Sequence, residues 1–167
     1  FLRGFDLFSK GQLDQAATQL QVATGPRRQF FPAAFYLGAV FAAAGRDRDA
    51  AGTWQLALGT EPRPTIAYTA AADARIRDNA PEAAIDILKP AYERTPADDE
   101  IGRRLAMAYL LTGRYADALP VVVGYLSRHG TDQDFLFAGV VAQYEVVNSG
   151  LTLSSNDRDR VRRWASA

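Results

Sequence analysis

The clearest pattern of apolar and polar positions lies between Phe31 and Ala44. Leu37, Val40, Phe41 and Ala44 recur at the spacing that gathers side chains on one stripe of an α-helix. Pro32 suits the first turn of that helix, where its missing N–H would find no partner anyway. Gly45 ends it, because glycine takes up the left-handed backbone that a tight reversal requires. A second helix is predicted from about Asp47 to Gly59, with Ala50, Trp54 and Ala57 on its inner face. The run Glu61-Pro62-Arg63-Pro64 stops it, since proline cannot continue a helix.

The same plan returns every 34 residues, at Gly11, Gly45, Asn79 and Gly113. Asparagine is among the few residues other than glycine that accept the reversal's backbone. Five residues after each stands Ala16, Ala50, Ala84 or Ala118, and seven before each stands Gly4, Gly38, Ala72 or Ala106, small enough for close helix contact. The first unit runs through Leu7, Leu20 and Ala23, the third through Leu88, Ala91 and Pro96, the fourth through Leu105, Tyr109, Val122 and Tyr125. Helix, turn and helix at one fixed period predict a helical-repeat array. The period then breaks: the next reversal is due at Val147, but the turn signal Asn148-Ser149-Gly150 comes later. Asp132 to Val147 is therefore predicted as one longer helix, the start of a degraded fifth repeat. Beyond it, Ser155 or Asn156 can cap a last helix, with Asp157 and Asp159 near its positive end. Val161 and Trp164 share a face of that helix and would seal the stack.

Over about residues 1–130 the chain resembles the tetratricopeptide repeat family. The resemblance rests on Leu37-Gly38-x-x-Phe41, Gly45, Ala50-x-x-x-Trp54-x-x-Ala57 and Pro62. It implies an all-α, right-handed helical-repeat solenoid of four repeats, a degraded fifth helix and a C-terminal capping helix. Residues 1–150 would form the solenoid and residues 151–167 the cap of the same domain. The chain also resembles C-terminal repeat modules of larger bacterial multidomain proteins, some with von Willebrand A-type domains. That second likeness rests on Phe31-Pro32, the run Ala33-Ala34-Phe35-Tyr36-Leu37-Gly38-Ala39 and the turn Ala43-Ala44-Gly45-Arg46-Asp47-Arg48. In the repeat register the first helix is due about four residues before Phe1, so the chain is expected to be a fragment of a longer protein. One departure matters. Tyr125 stands where earlier units keep Ala23, Ala57 and Ala91, and is expected to push the next helix outward or rotate it.

In this family the first helix of each repeat lines a concave face and the second helices form the outer wall. Carried over, the groove would be lined by Phe5, Phe8, Phe35 and Tyr36 with Ala39, then Asp73, Ile76 and Arg77, then Arg103, Arg104 and Met107. Such a face is aromatic toward its N-terminal half and basic toward its C-terminal half. Phe5 and Phe8 could equally pack against preceding residues, and Arg77, Arg103 and Arg104 could pair with Asp73, Asp78 and Asp99 on a solvated face. The family's clamp for a C-terminal carboxylate needs a lysine and an asparagine where Phe1 and Phe5 stand, so that mode is not expected here.

Composition narrows the chemistry further. Nineteen basic and 19 acidic residues give a formal net charge of zero, so long-range attraction to nucleic acid or anionic membrane is weak. Arg158, Arg160, Arg162 and Arg163 are interleaved with Asp157 and Asp159, with no accompanying series of stacking aromatics, so nucleic-acid binding is not expected. Without cysteine there is no disulfide or thiolate chemistry, and either redox environment suits the chain. No apolar run reaches the roughly 18 residues of a membrane span. His129 is the single histidine, expected as a solvated loop side chain, and Asp98-Asp99-Glu100 should cap and charge a helix start. No catalytic, metal or cofactor residues are therefore expected. The sequence predicts a non-catalytic protein or peptide interaction module, whose partner carries apolar anchors and an acidic stretch. The alternative is a structural spacer or self-association module without a peptide ligand.

Overall fold

The computed structural model describes residues 1–25, 31–58, 64–130, 132–150 and 159. Among them the regular elements are α1 (Leu2–Ser9), α2 (Leu13–Ala23), α3 (Phe31–Ala43), α4 (Asp47–Ala57), α5 (Thr65–Arg77), α6 (Pro81–Arg94), α7 (Asp99–Leu111), α8 (Tyr115–Leu126) and α9 (Gln133–Asn148). The predicted capping helix, Asp159 aside, and the stop at Glu61-Pro62-Arg63 lie outside the described residues. The helix starts keep the period. Phe31, Thr65, Asp99 and Gln133 open one series at steps of 34, and Leu13, Asp47, Pro81 and Tyr115 open the other at the same step.

The turns explain this constancy. Gly11, Gly45 and Gly113 have φ of +73°, +71° and +69°, and Asn79 has +57°. The residue after each donates its N–H five residues back: Gln12 to Leu7, Arg46 to Phe41, Ala80 to Arg75 and Arg114 to Tyr109, at 2.8–3.0 Å. These bonds satisfy carbonyls left open at a helix end and reverse the chain the same way each time. The fifth reversal is delayed, with Gly150 at φ +79°. It follows Gly113 by 37 residues, and α9 absorbs the difference with 16 residues against 13 in α7. The helix predicted for Asp132–Val147 is Gln133–Asn148, because Asp132 is its N-cap.

Residues up to Ile87 form one compact unit, and those from Leu88 onward a second. In the first, α1 packs on α2, α2 on α3, α3 on α4 and α4 on α5; in the second, α7 packs on α8 and α8 on α9. The four repeat alanines Ala16, Ala50, Ala84 and Ala118 are fully buried. The small-residue row is small for a steric reason. A Cβ on Gly4 would stand 2.7 Å from Leu20 Cγ, and one on Gly38 would stand 2.5 Å from Trp54 Nε1. Leu20, Leu88, Leu105, Val40 and Val122 are the largest fully buried side chains, each stabilising its repeat by about 1.5–3 kcal/mol.

Tyr125, expected to push or rotate the next helix, lies buried in the α8–α9 contact. Its ring lies 4.3 Å from that of Phe135, and only 5% of the residue is exposed. The two rings meet at a tilt of 44°, and together they fill space that a small residue would leave to the neighbouring helix.

Candidate functional site

In the first unit, aromatic residues of α1 and α3 meet. Tyr36 receives Phe1, Phe5 and Phe8, with ring centroids at 5.9, 4.9 and 6.4 Å. Phe35 lies 5.9 Å from Tyr36 and stacks on Phe31 at 5.8 Å. Most of these rings meet edge to face or tilted, as the positive edge and negative face of an aromatic ring favour, at about 0.5–1.5 kcal/mol per pair. Beneath them Trp54 of α4 donates from Nε1 to the Phe35 carbonyl at 2.9 Å. Gly38 makes room for that indole. Phe5 and Phe8 thus have partners within the chain, and Phe5 is still 40% exposed. Phe1, Phe31 and Trp54 belong to the same cluster and were not among the predicted groove residues. Phe31 sits one helical turn before Phe35, a spacing that could have flagged it.

On α5, Asp73 and Ile76 are half-buried and Arg77 is exposed. Arg77 pairs with Asp47 at the start of α4, at 2.7 Å, rather than with Asp73 or Asp78.

In the second unit, α7 carries Arg103, Arg104 and Met107. Arg103 Nη1 donates to Tyr125 Oη at 2.9 Å and to Asp132 Oδ2 at 3.0 Å, and Tyr125 Oη donates to the same carboxylate at 2.8 Å. The guanidinium lies over the rings of Phe135 and Tyr125, 5.1 and 5.4 Å from their centroids. The Tyr125 hydroxyl holds the Asp132 carboxyl below the usual carboxylate range, helped by the Phe135 backbone N–H and the Arg103 charge. The bond to Asp132 pushes the Tyr125 phenol up. Arg104 pairs with Glu100 one turn earlier on its own helix. Asp99 accepts from Arg128 at 2.8 Å and also engages His129, and these two bonds lower its pKa. His129 is therefore not a bare loop side chain, since it pairs with Asp99 and lies 4.7 Å from the Tyr125 ring. The expected pairing of Arg103 or Arg104 with Asp99 gives way to Asp132 and Glu100. Met107 stays 51% exposed and Leu111 55%. The C-terminal half of the predicted groove is thus less basic than its arginine count, and more apolar.

Among the described residues no group of three or more His, Asp or Glu side chains could hold a metal ion. Nor is any described helix long and apolar enough to cross a membrane. Residues 75–138 match the tetratricopeptide repeat family. That stretch carries tetratricopeptide repeats. No curated relative matches the sequence. Among solved structures, the repeats are similar to MamA, at 18% identity and a TM-score of 0.74 over 98% of this chain and 84% of that one. A second MamA structure matches at 18% identity and a TM-score of 0.72, over 96% and 89%. YrrB, described as a TPR protein with an unusual peptide-binding site, matches at 17% identity and a TM-score of 0.71, over 87% and 75%. At these identities the likeness establishes an all-α helical-repeat solenoid fold.

Proposed function

We propose that this helical-repeat chain is a non-catalytic protein-interaction module. It holds segments of a partner against the exposed inner faces of its first helices. The observation that carries the reading is the aromatic surface of α1 and α3, where Phe1, Phe5 and Phe8 converge on Tyr36 while Phe5 remains 40% exposed. Rings that already support one another lose little side-chain freedom when a partner's apolar anchor settles on them. Partly exposed aromatics of this kind are the residues on which binding energy concentrates. The peptide-binding site ascribed to YrrB supports the class of function, while the residues come from this chain alone.

The test is a peptide selection by phage display on the native protein, followed by affinity measurements on Phe5→Ser and Tyr36→Ser. Circular dichroism confirms that both variants fold. The expected outcome is a set of peptides with apolar or aromatic anchors whose affinity falls about 30-fold in each variant, as for a hot spot of about 2 kcal/mol. A selection that enriches nothing, or peptides that bind both variants as well as the native chain, would leave a spacer or self-association role as the better account.

A further inference from the structure

The second unit narrows the chemistry of the partner segment that the interaction-module reading calls for. Helix α9 is apolar on two opposite sides. Phe135, Gly139, Ala142 and Val146 are buried, yet Phe137 is 72% exposed and Tyr144 64%, with Val140 and Val141 between them on the outer side. A helix that is apolar all round is one with contacts on both sides. Phe137 follows Arg103 by one 34-residue step, and Glu145 follows Leu111 by the same step, so they hold equivalent positions on the first helices of consecutive repeats. Arg103 reaches from α7 over the Phe135 ring of α9. Met107 and Leu111 on α7 and Phe137 and Tyr144 on α9 are exposed, and the repeat register sets them on the same side of their helices, between the two ends.

Each of its two ends presents a charged side chain, Arg103 at one and Glu145 at the other. The Nη1 end of Arg103 is taken by Tyr125 and Asp132, whereas Nε and Nη2 make no hydrogen bond among the described residues. The guanidinium is held from behind and offers its remaining edge, so a second carboxylate can bind without the arginine having to reorder. Glu145 lies toward the other end, where it lines a hollow of about 450 Å³ with Gly113, Arg114 and Tyr115. It makes no ion pair among the described residues. Eight helical positions separate the two charged rows, about 12 Å along the helix axes, which an extended chain spans in about four residues.

We propose that the α7–α9 face binds a short extended segment with an apolar centre, an acidic side chain toward Arg103 and a basic side chain toward Glu145. The opposed charges set the direction and register of the segment, while the apolar middle supplies most of the attraction.

The probe is the blocked pentapeptide Ac-Glu-Leu-Ala-Phe-Lys-NH2, compared with Ac-Gln-Leu-Ala-Phe-Gln-NH2 and Ac-Glu-Leu-Ala-Phe-Glu-NH2. Met107 is the only methionine, so its ¹³C-labelled methyl gives one NMR signal on this face. The native protein should bind the Glu/Lys peptide about fivefold more tightly than the neutral one, with a shift of the Met107 methyl. Glu145→Lys, which disturbs no ion pair, should reverse the preference toward the Glu/Glu peptide. Arg103→Lys should weaken both acidic peptides, because it keeps the charge and loses the planar fork. A Met107 signal that none of the peptides moves overturns the proposal. So does equal affinity for charged and neutral peptides, or a Glu145→Lys variant that keeps the native preference. Such a failure with Phe5- and Tyr36-dependent binding intact would remove this face alone, since the residues tested in the first unit are different ones.

Discussion

Replacing Gly38 with alanine tests whether the aromatic face of the first unit rests on the contact between α3 and α4. The added Cβ would stand 2.5 Å from Nε1 and 2.7 Å from both Cδ1 and Cε2 of Trp54. Those atoms belong to a rigid ring that is 5% exposed, so the indole cannot bend aside and has to move as a body. Overpacking of this kind costs about 1–3 kcal/mol. Moving the indole also breaks its 2.9 Å bond to the Phe35 carbonyl, at about 1 kcal/mol. Alanine returns about 1 kcal/mol through its higher helix propensity. The balance is a loss of about 2 kcal/mol. Gly52 on α4 is the control, because a Cβ there meets nothing within 4 Å, and Gly52→Ala should stabilise by up to about 1 kcal/mol. Both are measured by urea unfolding in a Trp164→Phe background, where fluorescence reports Trp54 alone. If Gly38→Ala is as stable as the parent, or gains as Gly52→Ala does, the reasoning about this contact is wrong. A true loss should also red-shift Trp54 emission and weaken peptides that depend on Tyr36, since Phe35 would lose its anchor.

Two further predictions concern the turns and the second unit. Asn79→Ala should cost about 1 kcal/mol in thermal unfolding, because alanine is strained at φ +57°, whereas Asn79→Gly should be neutral or slightly stabilising. Asp99, through its bonds with Arg128 and His129, and Asp132, through the Tyr125 hydroxyl, titrate below the ordinary aspartate range in the folded chain. Their contribution to stability is therefore complete above the ordinary carboxylate range and lost as pH falls through the lowered values. Urea midpoints should be level from pH 7 to about 5 and drop below about pH 4. The drop should be smaller in an Asp99→Asn, Asp132→Asn double variant, and an identical acid limb in both proteins would refute the assignment.

Everything that recurs at short range was legible in the chain. A left-handed reversal tolerates glycine or asparagine and little else, so Gly11, Gly45, Asn79 and Gly113 announced their own turns. A helix that must approach another closely keeps a small residue at the crossing, so Gly4 and Gly38 marked the contacts with Leu20 and Trp54. Even the delay at the fifth repeat was visible, because Gly150 is the residue able to close it. What the sequence could not assign was who pairs with whom. Arg103 finds Asp132, and Arg128 finds Asp99, each 29 residues away, while a nearer carboxylate such as Asp117 lies along the same chain. An arginine looks the same in a sequence whether its charge is open or spent, because pairing depends on which helix ends the packing brings together. Tyr125 shows the same limit: its residue type announced bulk at the α8–α9 contact, and only the structure gives its hydroxyl partners and the Phe135 ring beside it. Local backbone preferences and helix periodicity thus determined the fold from sequence alone, and tertiary packing decided which charges and rings remain for a partner.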